Sequence, residues 1–342
     1  LRWCDLRLSG HFFAAPPGLR MNFTPNARSL IQIIRNAGDS STLGPNAATA
    51  PGIAALGRRT LVKNATTLLV IDPETPDRVI ADLAESAYEQ QAHLSCLMLG
   101  AAPALPMYAY GVPPYGGVNI PDNWTETVQA AQKALTQRET QIEAVLARSG
   151  VSADVQSIQC ATMDIKHVVA RRARVSDIAH IAPNLRDTPD VMREVTYGVL
   201  FKSPIGLMLN ASPSKPVERI FVAWNSSAAA ARAVHVALPY LRAAKDVVIA
   251  CFDPVTMTER EGPDPGTDVA AWLSHHGCSV TVSQFPTGGL EVAQCIQNRA
   301  SEQGADLVVA GAYGHARMME AVFGGTTRTM IEQKDLPVLL AH

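Results

Sequence analysis

The chain has 342 residues, 47% hydrophobic and 18% charged, with 29 Lys and Arg against 31 Asp and Glu. This length predicts two domains of about 150 residues, each large enough for its own core, and the balanced charge without a dense basic run excludes the electrostatic footprint of a nucleic-acid binder. Six cysteines, at 4, 96, 160, 251, 278 and 295, form no Cys-x-x-Cys pair and have no histidine at metal-ligand spacing. That argues against a metal module or a disulfide framework and for a reduced, cytoplasmic compartment.

Residues 1–60 carry no sustained hydrophobic period and no secretory core. They are expected to be a disordered extension, and Met21 is a candidate for the true start of translation. From about Leu61, short apolar runs alternate with helical patterns, the signature of parallel strands joined by crossover helices. Strands are predicted at Thr67–Ile71, His93–Leu99, Asp154–Cys160, Asp177–Ala182 and Pro204–Leu209, with helices over Asp77–Gln91, Trp124–Arg148 and Ile165–Arg174. The stretch Leu97–Ile120 is the nearest thing to a membrane span, but Pro103, Pro106, Pro113 and Pro114 break it into a loop. Its length suits a lid or a surface for a protein partner.

After a Pro- and Ser-containing linker at 212–217 the same order recurs. Strands are expected at Arg219–Trp224, Val247–Phe252, Ser279–Phe285, Leu307–Gly311 and Pro337–Ala341, and helices over Ala228–Ala244, Val269–His276, Leu290–Gln303 and Thr327–Lys334. The fold class is therefore α/β, with two tandem domains, 62–211 and 218–342, each a five-stranded parallel sheet flanked by helices. Adjacent His275 and His276 suggest a metal only superficially, because neighbouring helix residues point apart and no third ligand follows; a solvated helix end is the expectation.

The second copy carries the most informative run, Gly311-Ala-Tyr-Gly314-His315, followed by Gly324-Gly325-Thr326-Thr327. A glycine at a strand exit lets backbone amides approach a ligand, and glycines leading into threonines that can cap a helix place amide donors where an anion binds. His315 adds a group that titrates near neutrality, and Arg317 and Arg328 flank the run with charge suited to phosphates. In the first copy the matching place reads Ala182-Pro-Asn-Leu-Arg-Asp-Thr-Pro-Asp. Pro183 and Pro189 remove amide donors there, so any phosphate site is expected to be single and C-terminal.

These residues resemble the universal stress protein family, in a tandem form with two fused domains. The family's pattern Gly-x-x-Gly-x9-Gly-(Ser/Thr) is met by Gly311, Gly314 and Gly324, and Val222-Ala-Trp-Asn-Ser-Ser-Ala-Ala-Ala-Ala-Arg-Ala-Val234 is similar to its first strand and helix. The resemblance implies an adenine nucleotide alpha hydrolase-like, Rossmann-like fold. It also implies a nucleotide site built from Asn225, Ser226, Cys251, Gly311, Gly314, His315, Gly324, Gly325, Thr326 and Thr327, for ATP with Mg²⁺ or another adenine nucleotide. Two positions depart from the pattern: Asn225 stands where ATP-binding members carry an acidic residue, and Gly325 stands where they carry Ser or Thr. In the first copy Asp72 keeps the acidic position without glycines and is expected to cap its loop or the following helix.

No P-loop, nucleophile elbow or dinucleotide fingerprint occurs in the chain, and no catalytic residue or resident metal is expected. Three functions stay open. The first is a cytoplasmic stress-response protein that binds nucleotide in its C-terminal domain. The second is an interaction scaffold without nucleotide, its two domains forming an intramolecular pseudo-dimer through Pro204–Leu209 and Pro337–Ala341. The third is a slow nucleotide hydrolase, since Mg²⁺ and a placed water need few protein groups.

Overall fold

The computed structural model describes residues 65–103, 121–212, 215–257, 262–312 and 325–342. Most of the loop predicted across 97–120, the extension at 1–60, and Gly314, His315, Arg317 and Gly324 lie outside them.

The first half runs β1 (Thr66–Ile71), α1 (Asp77–Glu89), β2 (His93–Ala101), α2 (Trp124–Ser149), β3 (Ala153–Cys160), α3 (Ile165–Ala173), β4 (Ile178–Ile181), α4 (Pro189–Lys202) and β5 (Gly206–Leu209). The second runs β6 (Arg219–Trp224), α5 (Ala228–Ala243), β7 (Asp246–Phe252), α6 (Thr267–His275), β8 (Val280–Phe285), α7 (Val292–Glu302), β9 (Leu307–Gly311), α8 (Gly325–Glu332) and β10 (Val338–Ala341).

Leu68, Leu69, Val70 and Ile71 are all buried, as expected of a parallel strand covered on both faces. Each such side chain contributes roughly 1.5–3 kcal/mol. In the second half the alternation separates two faces. Ile220, Val222 and Trp224 pack with Ala233, Val234 and Ala237 of α5 and Leu273 of α6. Phe221, Val308 and Ala310 pack with Ile296 of α7 and Met330 of α8. Helix α5 starts where the Ser227 hydroxyl accepts from the Ala230 amide at 3.1 Å, a helix N-cap.

Ten strands form one sheet in the order β3-β2-β1-β4-β5-β10-β9-β6-β7-β8. Each half has the order 3-2-1-4-5 with all neighbours parallel. Where the halves meet, β5 pairs antiparallel with β10, Leu209 opposite Val338 and Leu207 opposite Leu340. All four side chains are buried there, so the halves share a core across the seam.

Three expectations need correction. Helix α4 is absent from the sequence reading, because Val191, Val195, Thr196 and Gly198 are weak helix formers. Helix α8 already includes Gly325, so Thr326 and Thr327 stand within the helix instead of capping it. His276 is not simply solvated: its ring lies 4.3 Å from that of Trp272, whose other neighbour is His235 at 4.6 Å. No helix among the described residues is long and apolar enough to cross a membrane.

Candidate functional site

In a doubly wound sheet, ligands bind beyond the carboxyl ends of strands where the winding reverses direction. The order 3-2-1-4-5 puts that reversal between β1 and β4 in the first half and between β6 and β9 in the second. Each half therefore has one crevice, and the two differ.

The first is bridged. Asp72, just past β1, accepts from Asn184 Nδ2 at 2.6 Å and from Thr75 Oγ1 at 2.9 Å. Thr75 Oγ1 also lies 3.1 Å from Asn184 Oδ1. Asn184 sits in a 3-10 turn, Pro183–Asp187, that opens directly after β4. The expected role of Asp72 as a loop cap is met by Thr75, and the cross-crevice bond to Asn184 comes in addition. Behind them Arg138 of α2 donates to the carbonyls of Pro73 and Thr75 at 3.0 and 2.7 Å and pairs with Asp77 at 2.8 Å. Pro183 thus opens the turn that carries Asn184 to the acidic group, and Pro189 opens α4.

The second crevice has no such bridge among the described residues. Asn225 is exposed just past β6, and its Oδ1 accepts from the Ser227 amide at 3.2 Å. That Asx turn places Ser226 at φ 54, a left-handed conformation that Ser tolerates poorly. Asn225 brings no charge, but its amide can both donate and accept. Opposite, Gly311 ends β9 and Ala312 carries the chain outward, its amide donating to Ala341 at 2.8 Å. A Cβ on Gly311 would lie 2.5 Å from the Ala230 nitrogen. This glycine is therefore required for α5 to approach β9, whatever else it does.

Gly325 is the first described residue of α8, and among the described residues nothing lies within 4 Å of where its side chain would stand. Thr326 is half-buried, and Thr327 is buried against the core, which turns its hydroxyl away from solvent. Arg328 pairs with Glu332 at 2.7 Å on the exposed side of the helix. Cys251 ends up beneath the site: it is fully buried, in register with Trp224, and its sulfur lies 3.0 Å from where a Cβ on Gly266 would stand. The structure thus brings Asn225, Ser226 and Gly311 to the two lips of one crevice, with Cys251 below it.

Two features escaped the sequence. Trp224, directly before Asn225, buries its indole, and its Nε1 has no hydrogen-bond partner among the described residues. Asn184 and Arg138 close the first crevice. A polar residue two places past a strand end beside a proline was the available signal for Asn184; nothing local pointed to Arg138.

Among solved structures the chain is similar to a universal stress protein from Archaeoglobus fulgidus DSM 4304, with TM-score 0.55 and 14% identity over 80% of this chain and 95% of that one. A candidate universal stress protein from Pseudomonas aeruginosa UCBPP-PA14 aligns with TM-score 0.47 and 15% identity over 83% and 94% of the two chains. A functionally unknown protein from Pseudomonas aeruginosa PAO1 gives 0.45 and 14% over 83% and 93%. No protein-family model matches the chain, and no curated protein does. The first likeness establishes the fold: the chain has the α/β, Rossmann-like fold of universal stress proteins, present twice in one continuous sheet.

Proposed function

We propose that this chain is a cytoplasmic universal stress protein that binds an adenine nucleotide, ATP with Mg²⁺ foremost, in its second half alone. The observation that carries this reading is the asymmetry of the two crevices. The first is spanned by the bond from Asn184 to Asp72, while the second, among the described residues, has no such bond and keeps Asn225 exposed on its lip. In this reading Asn225 and Ser226 meet the base or ribose. The amides of α8, with Gly314, His315 and Gly324, meet the phosphates, as helix N-termini do. When bound, Mg²⁺ would neutralise phosphate charge; no protein side chain is assigned to hold it.

A second reading has its own support. Gly311 is explained by its contact with α5 and needs no phosphate, and the antiparallel pairing of β5 with β10 suits an internal pseudo-dimer that works as an interaction scaffold. Mass spectrometry of small molecules released from freshly purified protein separates the two. The nucleotide reading expects a co-purifying adenine nucleotide and thermal stabilisation by added ATP, worth about 2.7 kcal/mol at a hundred times the dissociation constant. It also expects both to vanish in the double variant Gly314→Asp, Gly324→Asp. No bound nucleotide and no stabilisation would leave the scaffold as the function.

A further inference from the structure

The first half does more than lie beside the second: its side chains reach the end of α8 and the C-terminal edge of the second half. At the end of α8, Nη2 of Arg186 contacts the carbonyls of Ile331 and Gln333, at 3.4 and 3.5 Å, and donates to Asn210 Oδ1 at 2.7 Å. Asn210 in turn donates to the carbonyls of Gln333 and Leu336, both at 3.0 Å. These carbonyls belong to the last turn of α8 and the turn after it, where a cation complements the helix dipole. Gln333 stiffens that turn from within, its Oε1 accepting from the amides of Asp335 and Leu336, each at 2.9 Å.

Just past β9, His342 Nδ1 lies 2.8 Å from the Ala312 carbonyl. The same imidazole packs at 4.6 Å against Phe201 of α4, which rests on Tyr197 at 4.9 Å. Arg186 also shares the Pro183–Asp187 turn with Asn184. One short turn thus closes the first crevice with one side chain and grips the second half's helix with another.

We propose that Arg186, Asn210 and Phe201 of the first half, the last acting through His342, are positioning residues for the second crevice, so that ligand affinity there depends on first-half side chains that do not touch the ligand. Helix α8 has 8 residues, so Arg186 acts about 12 Å from the amides that would meet an anion. By linkage, a ligand held at the start of α8 must tighten the grip at its end by the same factor. The proposal rests on the nucleotide reading for the ligand, whereas the grip itself exists without one.

The test is hydrogen exchange on the full chain for wild type, Arg186→Ala, Arg186→Lys and His342→Ala, each free and with ATP and Mg²⁺, beside ATP titrations. Expected in the free protein is faster exchange of the α8 amides in Arg186→Ala, by about tenfold, with β1 and β2 unchanged and Arg186→Lys between the two. ATP affinity should fall about tenfold in Arg186→Ala, and by a smaller factor in His342→Ala, which leaves α8 exchange at the wild-type rate. Unchanged α8 exchange in Arg186→Ala overturns the proposal, as does faster exchange with undiminished ATP affinity. If ATP binds none of the proteins, the nucleotide reading fails, and α8 exchange alone decides whether the first half holds that helix. If Arg186→Ala does not fold, Arg186→Lys against wild type carries the same comparison.

Discussion

Acid should destabilise this protein through a residue within the sheet, on one of the two strands that flank the first crevice. His180 lies half-buried on β4, in register with Leu69 of β1 and Met208 of β5, and desolvation lowers its imidazole from 6.5 to about 4. Protonating this ring in the folded protein therefore costs about 3 kcal/mol more than in the unfolded chain. The folded state keeps the ring neutral while the unfolded state takes up a proton below 6.5, so the unfolded state binds more protons between the two values. Stability is then complete above about pH 6.5, falls as pH drops, and levels off below about 4. Between pH 7 and pH 5 the loss works out at about 2 kcal/mol.

Urea unfolding of wild type and His180→Leu across that range isolates the effect, because all other titrations are common to both proteins. Asp154 in particular does not interfere. Burial alone would raise its carboxyl, but the His93 hydrogen bond, the Arg172 guanidinium and Ser95 together hold it below its usual 3.8. Its contribution is lost only as pH falls through a lower range. The stability difference between His180→Leu and wild type should shift in favour of the variant by about 2 kcal/mol from pH 7 to pH 5. A difference that stays flat over that range would show that the ring is solvated or partnered when folded, and would refute the reasoning.

Two further outcomes test the second crevice as a built structure. Gly311→Ala should cost roughly 1–3 kcal/mol in chemical denaturation, the range for overpacking, because the new methyl meets the α5 backbone at Ala229 and Ala230; a neutral result would mean that α5 yields freely. Ser227→Ala removes the cap on the Ala230 amide and should cost about 1 kcal/mol, with Ser227→Asp restoring most of it.

The strands were legible in the sequence because they are continuous apolar runs, and the duplication was legible because its order repeats. Helix α4 was not, for a physical reason: Gly198 sits in its middle where a Cβ would stand 2.8 Å from the Lys166 carbonyl. A residue that weakens the local helix signal is demanded by the close contact of α4 with α3. At the site, Asn225 and Gly311 could be placed from their strand ends, since the ends of β6 and β9 are where a winding reversal opens. The orientation of Thr327 could not, because Thr326 and Thr327 lie within α8, where the sequence suggested they cap it.

The same limit applies to the first crevice, and there it bears on how the halves diverged in role. The residue pattern shows an acidic group at 72 and prolines at 183 and 189, which reads as a site with its donors removed. The folded chain shows a site whose acidic group has been given an internal partner: Asn184 occupies Asp72, and Arg138 fixes the loop behind it. A crevice that had only lost its donors would still present an exposed carboxylate, free to change partners. One bridged and braced in this way is rigid, and rigidity in the Pro183–Asp187 turn is what Arg186 needs if it is to hold α8 in place. Closure of the first crevice and support of the second therefore follow from the same turn.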